Sequence, residues 1–230
     1  MSQTIIHLSN ANLYQSNHLI LSNVNLDIKS GEFVYLIGKT GSGKSTLLKT
    51  IYADIDLEHG EAIVADFNLN QMKYTQIPYL RRKLGIVFQD FQLLSDRSVN
   101  ENLYFVLKAT EWDEKGRMRE RVQEVLEMVG LSTKGFKMPH ELSGGEQQRL
   151  VIARAFLNHP DIILADEPTG NLDPETSEGI MKLLFEISKR GTAVLMATHN
   201  YTIIDKFPAR IIKCEDGKLT DSKNETLVLN

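Results

Sequence analysis

The sequence of 230 residues predicts an α/β fold, with helices on both faces of a mostly parallel sheet and an antiparallel β portion at the amino terminus. Three observations predict it. Short apolar segments alternate with segments of helical periodicity, which is typical of parallel strands buried on both faces. The first thirty residues alternate like a hairpin, which suggests an antiparallel edge to the sheet. A block of helical periodicity interrupts the strands, so we expect an inserted helical subdomain.

The strands are expected in the following order. A strand near residues 5–14 leads through a polar turn at residues 15–18 into LILSNVNLDI. FVYLIG, EAIVADFNL and KLGIVFQ follow as further strands, the last one ending at Gln89. After the helical block, DIILAD and AVLMAT are expected to be short buried strands. RIIKCEDGKLT reads as a closing hairpin with its turn at Asp216 and Gly217.

The helices are expected from their apolar spacing and their end signals. In DEKGRMRERVQEVLEMVG the helix is expected to end at Gly130, and its apolar face contains Met118, Val122, Val125, Leu126 and Val129. Asp173 and Pro174 are a typical N-cap and first turn. The helix that they begin carries an apolar stripe of Ile180, Leu183, Leu184 and Ile187. We expect one domain over residues 1–230, divided into a nucleotide-binding core of 1–90 and 159–230 and a helical subdomain of 91–158.

Composition narrows the class of protein. The chain is 42% hydrophobic, which is enough for a sizeable core, and its net charge of −4 provides no general attraction to nucleic acid. The single cysteine, Cys214, excludes an internal disulfide and is expected to be a small core or edge residue. The longest apolar runs are far shorter than the roughly 20 residues that span a bilayer. We therefore expect a chain that does not cross a membrane but can still dock on one.

The loop GKTGSGKST carries the strongest chemical signal. It matches G-x4-G-K-[ST], whose glycines let the backbone fold tightly with its N–H groups directed at a phosphate. An apolar strand precedes it and an apolar helix follows, which argues against a chance glycine turn. Lys44 is expected to reach the β- and γ-phosphates of a nucleotide, and the Ser45 hydroxyl to bind Mg²⁺. The predicted nucleotide contacts here are Gly38, Lys39, Thr40, Gly41, Ser42, Gly43, Lys44, Ser45 and Thr46.

Three further groups follow buried strands. In IILADE, Asp166 is expected to hold the metal and Glu167 to activate the attacking water, although both carboxylates would also suit a solvated strand end or a helix cap. His199 follows AVLMAT and is a candidate hydrogen-bond donor to the γ-phosphate, with a structural role as the alternative. Gln89 is a candidate contact to the metal or its water. The predicted catalytic set is therefore Lys44, Gln89, Glu167 and His199.

A second glycine-containing helix start lies at ELSGGEQQRL. Ser143 and Glu146 form a capping box, which explains these two residues but not Gly144 and Gly145. Open N–H groups at a helix start can bind an anion, but this one has no lysine of its own and no strand leading into it. A half-site of this kind makes sense if it closes onto ATP held by a second copy, which predicts a twofold dimer with two ATP molecules at one interface.

Taken together, GKTGSGKST, LSGGEQQR, IILADEPTGNLD and ATHN closely resemble the ATP-binding subunits of ABC transporters over essentially the whole chain. The resemblance implies a P-loop NTPase core of the RecA-like type and a head-to-tail dimer around ATP. It also implies that Tyr14 stacks on adenine and that Asn171, Leu172 and Asp173 form the loop that crosses the dimer interface. FQDFQLL resembles the segment that contacts the membrane partner.

Within that family, the segments from IPYLRR to VNENL and from LADEPTG to SEGI look closest to cell-division ATPases of the FtsE type, with Asp96-Arg97 as the favouring detail. This implies an integral membrane partner of the FtsX type, control of cell-wall hydrolases and a peripheral location on the cytoplasmic face of the bacterial inner membrane. Lipoprotein-releasing and macrolide-exporting ATPases share the same motifs and remain alternatives.

Two more distant classes fit the sequence less well. DNA-repair ATPases also use a Ser-Gly-Gly helix start, but they place long heptad arms between the halves of the nucleotide site. This chain has no such insertion and no basic excess. Small-molecule P-loop kinases need a lid that carries arginines and have no use for LSGGEQQR. We therefore expect no nucleic-acid partner.

Overall fold

The computed structural model describes residues 3–224, which form two sheets and seven α-helices. The strands are β1 (Thr4–Gln15), β2 (His18–Lys29), β3 (Phe33–Ile37), β4 (His59–Val64), β5 (Phe67–Asn68), β6 (Leu84–Val87), β7 (Ile162–Asp166), β8 (Ala193–Ala197), β9 (Arg210–Glu215) and β10 (Lys218–Asp221). The helices are α1 (Lys44–Ile51), α2 (Ile77–Arg82), α3 (Val99–Ala109), α4 (Lys115–Met128), α5 (Gly144–Phe156), α6 (Pro174–Lys189) and α7 (Tyr201–Lys206). Two 3-10 turns lie at Tyr74–Gln76 and Pro139–Glu141.

The larger sheet confirms the predicted parallel core. Its strand order is β10-β9-β3-β8-β7-β6, and all neighbouring pairs are parallel except β10 with β9. The central strands β3 and β8 are buried at every position, which explains why their sequences are continuously apolar rather than alternating. Cys214 lies in β9 between two other strands and is buried, as expected.

The amino-terminal hairpin belongs to a separate sheet. β2, β1, β4 and β5 form an antiparallel sheet in that order, which confirms the predicted antiparallel β portion at the amino terminus, although the hairpin does not edge the main sheet as suggested. The antiparallel edge of the main sheet is β10 instead. The prediction of one strand over EAIVADFNL is also wrong, because Ala65 and Asp66 adopt positive φ angles of 46° and 69° and turn the chain between β4 and β5.

The main sheet separates two apolar cores. Alternate residues of each strand point to opposite faces, so Tyr35 packs with the helical block and α6 while Leu36 packs with α1 and the antiparallel sheet. One face is therefore covered by helices, and the other by a helix together with a second sheet. Because β3, β7 and β8 are parallel, their carboxyl ends lie at the same edge of the main sheet.

The inserted helices α3, α4 and α5 lie between β6 and β7 in the chain, as predicted. The predicted apolar face of α4 is buried, and the chain leaves this helix at Gly130 with a φ of 73°. Gly85 lets α5 approach β6 closely, because a Cβ there would lie 2.6 Å from the Ala155 carbonyl oxygen. Within residues 3–224, no helix combines the length and apolar character needed to cross a bilayer.

Candidate functional site

The glycine loop joins β3 to α1, as the sequence predicts. Gly38, Gly41 and Gly43 have φ angles of 149°, 81° and 105°, a region that side-chain-bearing residues rarely adopt. A Cβ on Gly38 would also lie 2.4 Å from the Cys214 carbonyl oxygen. These positions therefore require glycine both for backbone conformation and, at Gly38, for space.

Lys44 begins α1 and lies beneath the loop. Its side chain is nearly buried, with the residue 8% exposed, and its ammonium donates to the carbonyl oxygens of Gly38 at 2.7 Å and Lys39 at 3.1 Å. Within residues 3–224, the backbone N–H groups of Lys44, Ser45 and Thr46 have no acceptor. A positive side chain and three open donors thus converge on one helix start, which is an arrangement suited to phosphate.

A cleft of about 430 Å³ opens beside this loop. It brings together the predicted groups from three different strand ends, which lie far apart in the sequence. Its lining consists of Gln15, Ile20, Thr40, Gly41, Gly43, Lys44, Ser45, Thr46, Gln89, Asp166, Glu167 and His199. All four predicted catalytic residues are therefore in this cleft.

Ser45 and Asp166 are in direct contact. The Ser45 hydroxyl donates to Asp166 Oδ2 at 3.1 Å. Burial raises the pKa of the Asp166 carboxyl above its ordinary value, and the hydrogen bond from Ser45 opposes that rise. A hydroxyl, a carboxylate and the amide of Gln89 in the same cleft are the hard oxygen donors that Mg²⁺ prefers. In the described part of the chain, no three Asp, Glu, His or Cys side chains cluster to hold a metal alone, so phosphate oxygens would have to complete the coordination.

Glu167 faces His199 across neighbouring strands. Nδ1 of His199 lies 2.9 Å from Oε1 of Glu167, whose side chain is 19% exposed whereas that of the histidine is 68% exposed. Glu167 has a φ of 48°, which is unusual for a residue with a side chain. Its backbone N–H donates to the Ala197 carbonyl at 3.0 Å, which helps to hold this conformation. The carboxylate is thus fixed between a histidine and the phosphate loop.

Gln89 and Tyr14 lie differently from expectation. The prediction that β6 reaches Gln89 is wrong, since the strand ends at Val87, but Gln89 still lines the cleft from the following segment. Tyr14 is near the end of β1, as predicted, yet it packs against the His59 ring at 5.9 Å and does not line the cleft. Its role in adenine stacking stays a prediction.

Gln15 and Ile20 line the cleft although the sequence analysis missed them. Gln15 Oε1 accepts from the Thr46 hydroxyl at 3.4 Å and so links the hairpin to α1. Gln15 is the first residue of the hairpin turn predicted at residues 15–18, and Ile20 follows that turn. That turn was the available signal, because it projects toward the phosphate loop once the two sheets pack.

The Ser143 turn has the predicted capping box. Ser143 Oγ accepts from the Glu146 N–H at 3.3 Å, and Glu146 Oε2 accepts from the Ser143 N–H at 2.9 Å. The capping box does not explain Gly145, but packing does, because a Cβ there would lie 2.3 Å from Thr176 Cγ2 of α6. Gly144 has ordinary space around it, with the nearest atom, Leu172 Cδ2, at 3.6 Å.

The two helix starts that meet here are both capped. Asp173 caps α6 by accepting from the Thr176 N–H at 3.0 Å, as predicted. Within residues 3–224, the N–H groups of Gly144 and Gly145 have no acceptor. Neither helix start lines the cleft beside the phosphate loop. The Ser143 turn is therefore formed with open N–H groups, but it does not line the cleft beside the phosphate loop of the same chain.

Comparisons with known proteins agree with this geometry. Residues 21–170 match the model of the ABC transporter family. This chain belongs to the ABC transporter family. It is 43% identical over 214 residues to the cell division ATP-binding protein FtsE of Streptococcus pneumoniae serotype 2, which covers 92% of this chain and 93% of that protein. It is 46% identical over 204 residues to FtsE of Bacillus subtilis strain 168, which covers 89% of each chain.

A solved ABC structure is similar along nearly the whole chain. It is described as the dimeric, post-hydrolysis state of the ATP-binding cassette MJ0796 bound to ADP and Pi. The identity is 36%, the TM-score is 0.80, and the match covers 94% of this chain and 98% of that one. The protein is therefore an ABC ATPase, a nucleotide-binding enzyme that hydrolyses ATP, and it is similar to the FtsE proteins.

This ABC ATPase also has a groove between its core and its helical block. The groove encloses about 480 Å³ and has a wall of arginine and apolar side chains. Its lining includes Arg81, Arg82, Phe88, Gln92, Leu94, Phe105 and Arg154. Arg154 of α5 donates to the carbonyl oxygens of Gln92 at 2.6 Å and Phe91 at 3.1 Å, which ties the segment after Gln89 to the helix that begins at Ser143.

Proposed function

We propose that this ABC ATPase hydrolyses MgATP as a twofold dimer. It acts in bacterial cell division through an integral membrane protein of the FtsX type, and through that partner it controls cell-wall hydrolases. One observation carries the proposal. The cleft holds every predicted catalytic group, yet the capped turn at Ser143, with two open N–H groups, lies outside that cleft in the same chain.

The phosphate loop holds the nucleotide in this proposal. Open N–H groups at the start of α1 and the Lys44 ammonium bind the β- and γ-phosphates, so Lys44 exchanges its contacts with the Gly38 and Lys39 carbonyls for phosphate oxygens. Ser45, Asp166 and Gln89 hold Mg²⁺ together with phosphate oxygens. The metal supplies charge neutralisation on the transferring phosphoryl group.

Glu167 and His199 provide the remaining chemistry. The Glu167 carboxylate accepts a proton from the attacking water and directs that water at the γ-phosphorus. His199 contacts Glu167 through Nδ1, so donation from its other ring nitrogen to a γ-phosphate oxygen requires the imidazolium form, in which both ring nitrogens carry a proton. Because His199 is largely exposed, this edge of the site needs a cover before the reaction is sheltered from bulk water.

A second copy of the chain supplies that cover. Its Ser143 turn donates the free N–H groups of Gly144 and Gly145 to the γ-phosphate, and by twofold symmetry the first copy does the same in return. Similarity to a dimeric cassette bound to ADP and Pi supports this arrangement. Asp173 caps the helix that packs against Gly145. The loop that precedes Asp173 therefore lies beside the Ser143 turn.

The test of this dimer uses two variants. Glu167→Gln is expected to bind ATP and accumulate as a dimer by light scattering, because closure is intact while water activation is lost. Adding Ser143→Arg is expected to leave ATP binding to the monomer nearly intact and abolish the dimer. A monomer that loses ATP binding on Ser143→Arg would mean that the turn serves its own chain's nucleotide, which contradicts the proposal.

The membrane partner is proposed to bind the groove. FQDFQLL supplies Phe88, Gln92 and Leu94 to its wall, and the similarity to FtsE proteins supports a division role on the cytoplasmic face of the inner membrane. Phe105 is half-exposed at this groove. Phe105→Arg is therefore expected to lose co-purification of the partner from bacterial membranes, whereas Tyr74→Arg, an exposed site outside the groove, keeps it. Recovery of a lipoprotein-release or macrolide-export permease instead would favour those exporters.

A further inference from the structure

The two carboxylate oxygens of Glu146 contact different partners. Oε2 accepts from the Ser143 N–H and completes the capping box, while Oε1 is ion-paired with the Lys134 ammonium. Lys134 comes from the loop between α4 and α5, and the two side chains are 33% and 25% exposed. The hydrogen bond from Lys134 is the largest cause that lowers the pKa of Glu146, so this carboxylate is ionised at neutral pH.

That carboxylate creates an electrostatic conflict. Glu146 is the third residue of α5, where a negative charge stabilises the helix by interacting with its positive end. In the dimer proposed above, however, the same helix end must receive the γ-phosphate of the other copy's ATP. A fixed negative charge beside this turn repels the incoming phosphate. It also reduces the positive electrostatic potential of the helix end that attracts the phosphate.

We propose that Lys134 neutralises Glu146 so that the Ser143 turn accepts the γ-phosphate of ATP bound to a second copy, which makes Lys134 a positioning residue of the composite site. The inference rests on the proposed dimer. In this arrangement the glutamate caps the helix and the lysine cancels its charge toward the nucleotide. The cap thus holds the turn in place, and the neutralised charge allows the turn to bind an anion.

The loop does not depend on the Lys134 side chain for its shape. Backbone hydrogen bonds hold it, from the Lys134 N–H to the Leu131 carbonyl at 2.9 Å and from the Lys137 N–H to the Lys134 carbonyl at 3.0 Å. The Val99 N–H also donates to the Lys137 carbonyl at 2.8 Å and joins the loop to α3. Truncating Lys134 therefore removes a charge while leaving the backbone bonds in place, and the isolated chain is expected to fold.

The experiment measures ATP-driven dimerisation in the Glu167→Gln chain by analytical ultracentrifugation at low salt. Lys134→Ala is expected to weaken the dimer by about tenfold per site, and by about a hundredfold in total because a twofold dimer contains the change twice. Glu146→Gln keeps the cap, since glutamine serves equally in a capping box, but removes the charge. The double variant Lys134→Ala, Glu146→Gln is therefore expected to recover most of the lost affinity.

Two matched variants separate charge from structure. Lys134→Arg restores the positive charge and is expected to dimerise like the parent chain. Lys137→Ala removes a lysine of the same loop that has no ion pair within residues 3–224, and it is expected to have little effect. The loss on Lys134→Ala is also expected to shrink as salt is raised, because screening weakens the repulsion.

The outcomes distinguish this inference from the proposal on which it rests. A Glu167→Gln chain that stays monomeric with ATP overturns the dimer and the role of Lys134 together. If that chain dimerises and Lys134→Ala matches it, only the role of Lys134 is overturned. If Glu146→Gln weakens the dimer as much as Lys134→Ala does, and the double variant recovers nothing, the pair is a structural clamp and charge neutralisation is wrong.

Discussion

Nδ1 of His199 and Oε1 of Glu167 lie 2.9 Å apart at the ends of two neighbouring parallel strands, β8 and β7. The register of these strands places Asp166 opposite Ala197, so Glu167 and His199, one and two residues beyond the strand ends, lie at the same edge of the sheet. The contact joins the proposed base to the residue proposed to donate a hydrogen bond to the γ-phosphate. The first two predictions below test its two members.

Replacing Glu167 by glutamine is expected to lower kcat for ATP hydrolysis by about 10²–10⁴, the usual range for a general base. The amide has nearly the same shape but does not take the proton from water. Steady-state phosphate release, with nucleotide binding measured in parallel, checks this. Glu186→Gln, an exposed change on α6, is the control. Turnover at the parent rate would show that another group activates the water.

Replacing His199 by alanine is expected to lower kcat by about 10²-fold, because Glu167 loses a partner and the γ-phosphate loses a donor. The KM for ATP should change much less, since the phosphate loop is untouched. His7→Ala, which changes a half-exposed histidine of the antiparallel sheet, is the matched control. A rise in KM at constant kcat would place His199 in binding rather than in the chemical step.

Asp166→Asn is expected to raise the melting temperature of the nucleotide-free protein at pH 7 while abolishing Mg²⁺-dependent turnover. Burial raises the pKa of Asp166 in the folded chain, so folding favours its protonated form, and stability falls as the pH rises through that folded pKa. Removing the charge is therefore expected to recover the stability that ionisation costs at neutral pH.

The pH dependence provides the check on that explanation. Below the pKa of Asp166 the parent carboxyl is protonated, so the gain from Asp166→Asn should shrink on acidification. Thermal melts at neutral and acidic pH measure it, with the exposed Asp205→Asn as the control. A gain that stays constant over the whole range would mean that packing, not ionisation, is responsible.

Gly145→Ala is expected to destabilise the protein by about 1–3 kcal/mol, because its Cβ would lie 2.3 Å from Thr176 Cγ2 and must push α5 from α6. Thr176→Ser removes that methyl group, so the double variant should recover most of the loss. Gly144→Ala has space for its Cβ and serves as the control for stability. Urea unfolding of the four chains tests this, and equal losses in the two alanine variants would rule out the Thr176 contact as the cause.

Much of the candidate site was predictable because its signals are local. The glycines at 38–43 predict positive φ angles, which other residues rarely adopt. A capping box predicts the start of its own helix. The only signal for Gln15 and Ile20 was the hairpin turn, which does not by itself indicate a cleft. They reach the cleft only because the antiparallel sheet packs with α1 on one face of the main sheet.

Local signals also misplaced some boundaries. EAIVADFNL has the composition of one strand, but Ala65 and Asp66 turn the chain to pair β4 with β5. The need for Gly145 arises from Thr176, thirty-one positions further along the chain, and nothing in the neighbouring residues indicates it. Contacts between distant segments decided both points.

The sequence by itself determined the class of fold, the phosphate loop and most of the groups that line the cleft beside it, since these depend on residue type and short spacing. Only the tertiary structure decided that Glu167 touches His199, that Lys134 pairs with Glu146, and that the Ser143 turn lies outside its own chain's cleft. The physical reason is that strand register and the packing of helices on a sheet bring together residues that are far apart in the sequence. Their positions along the chain do not predict that they touch.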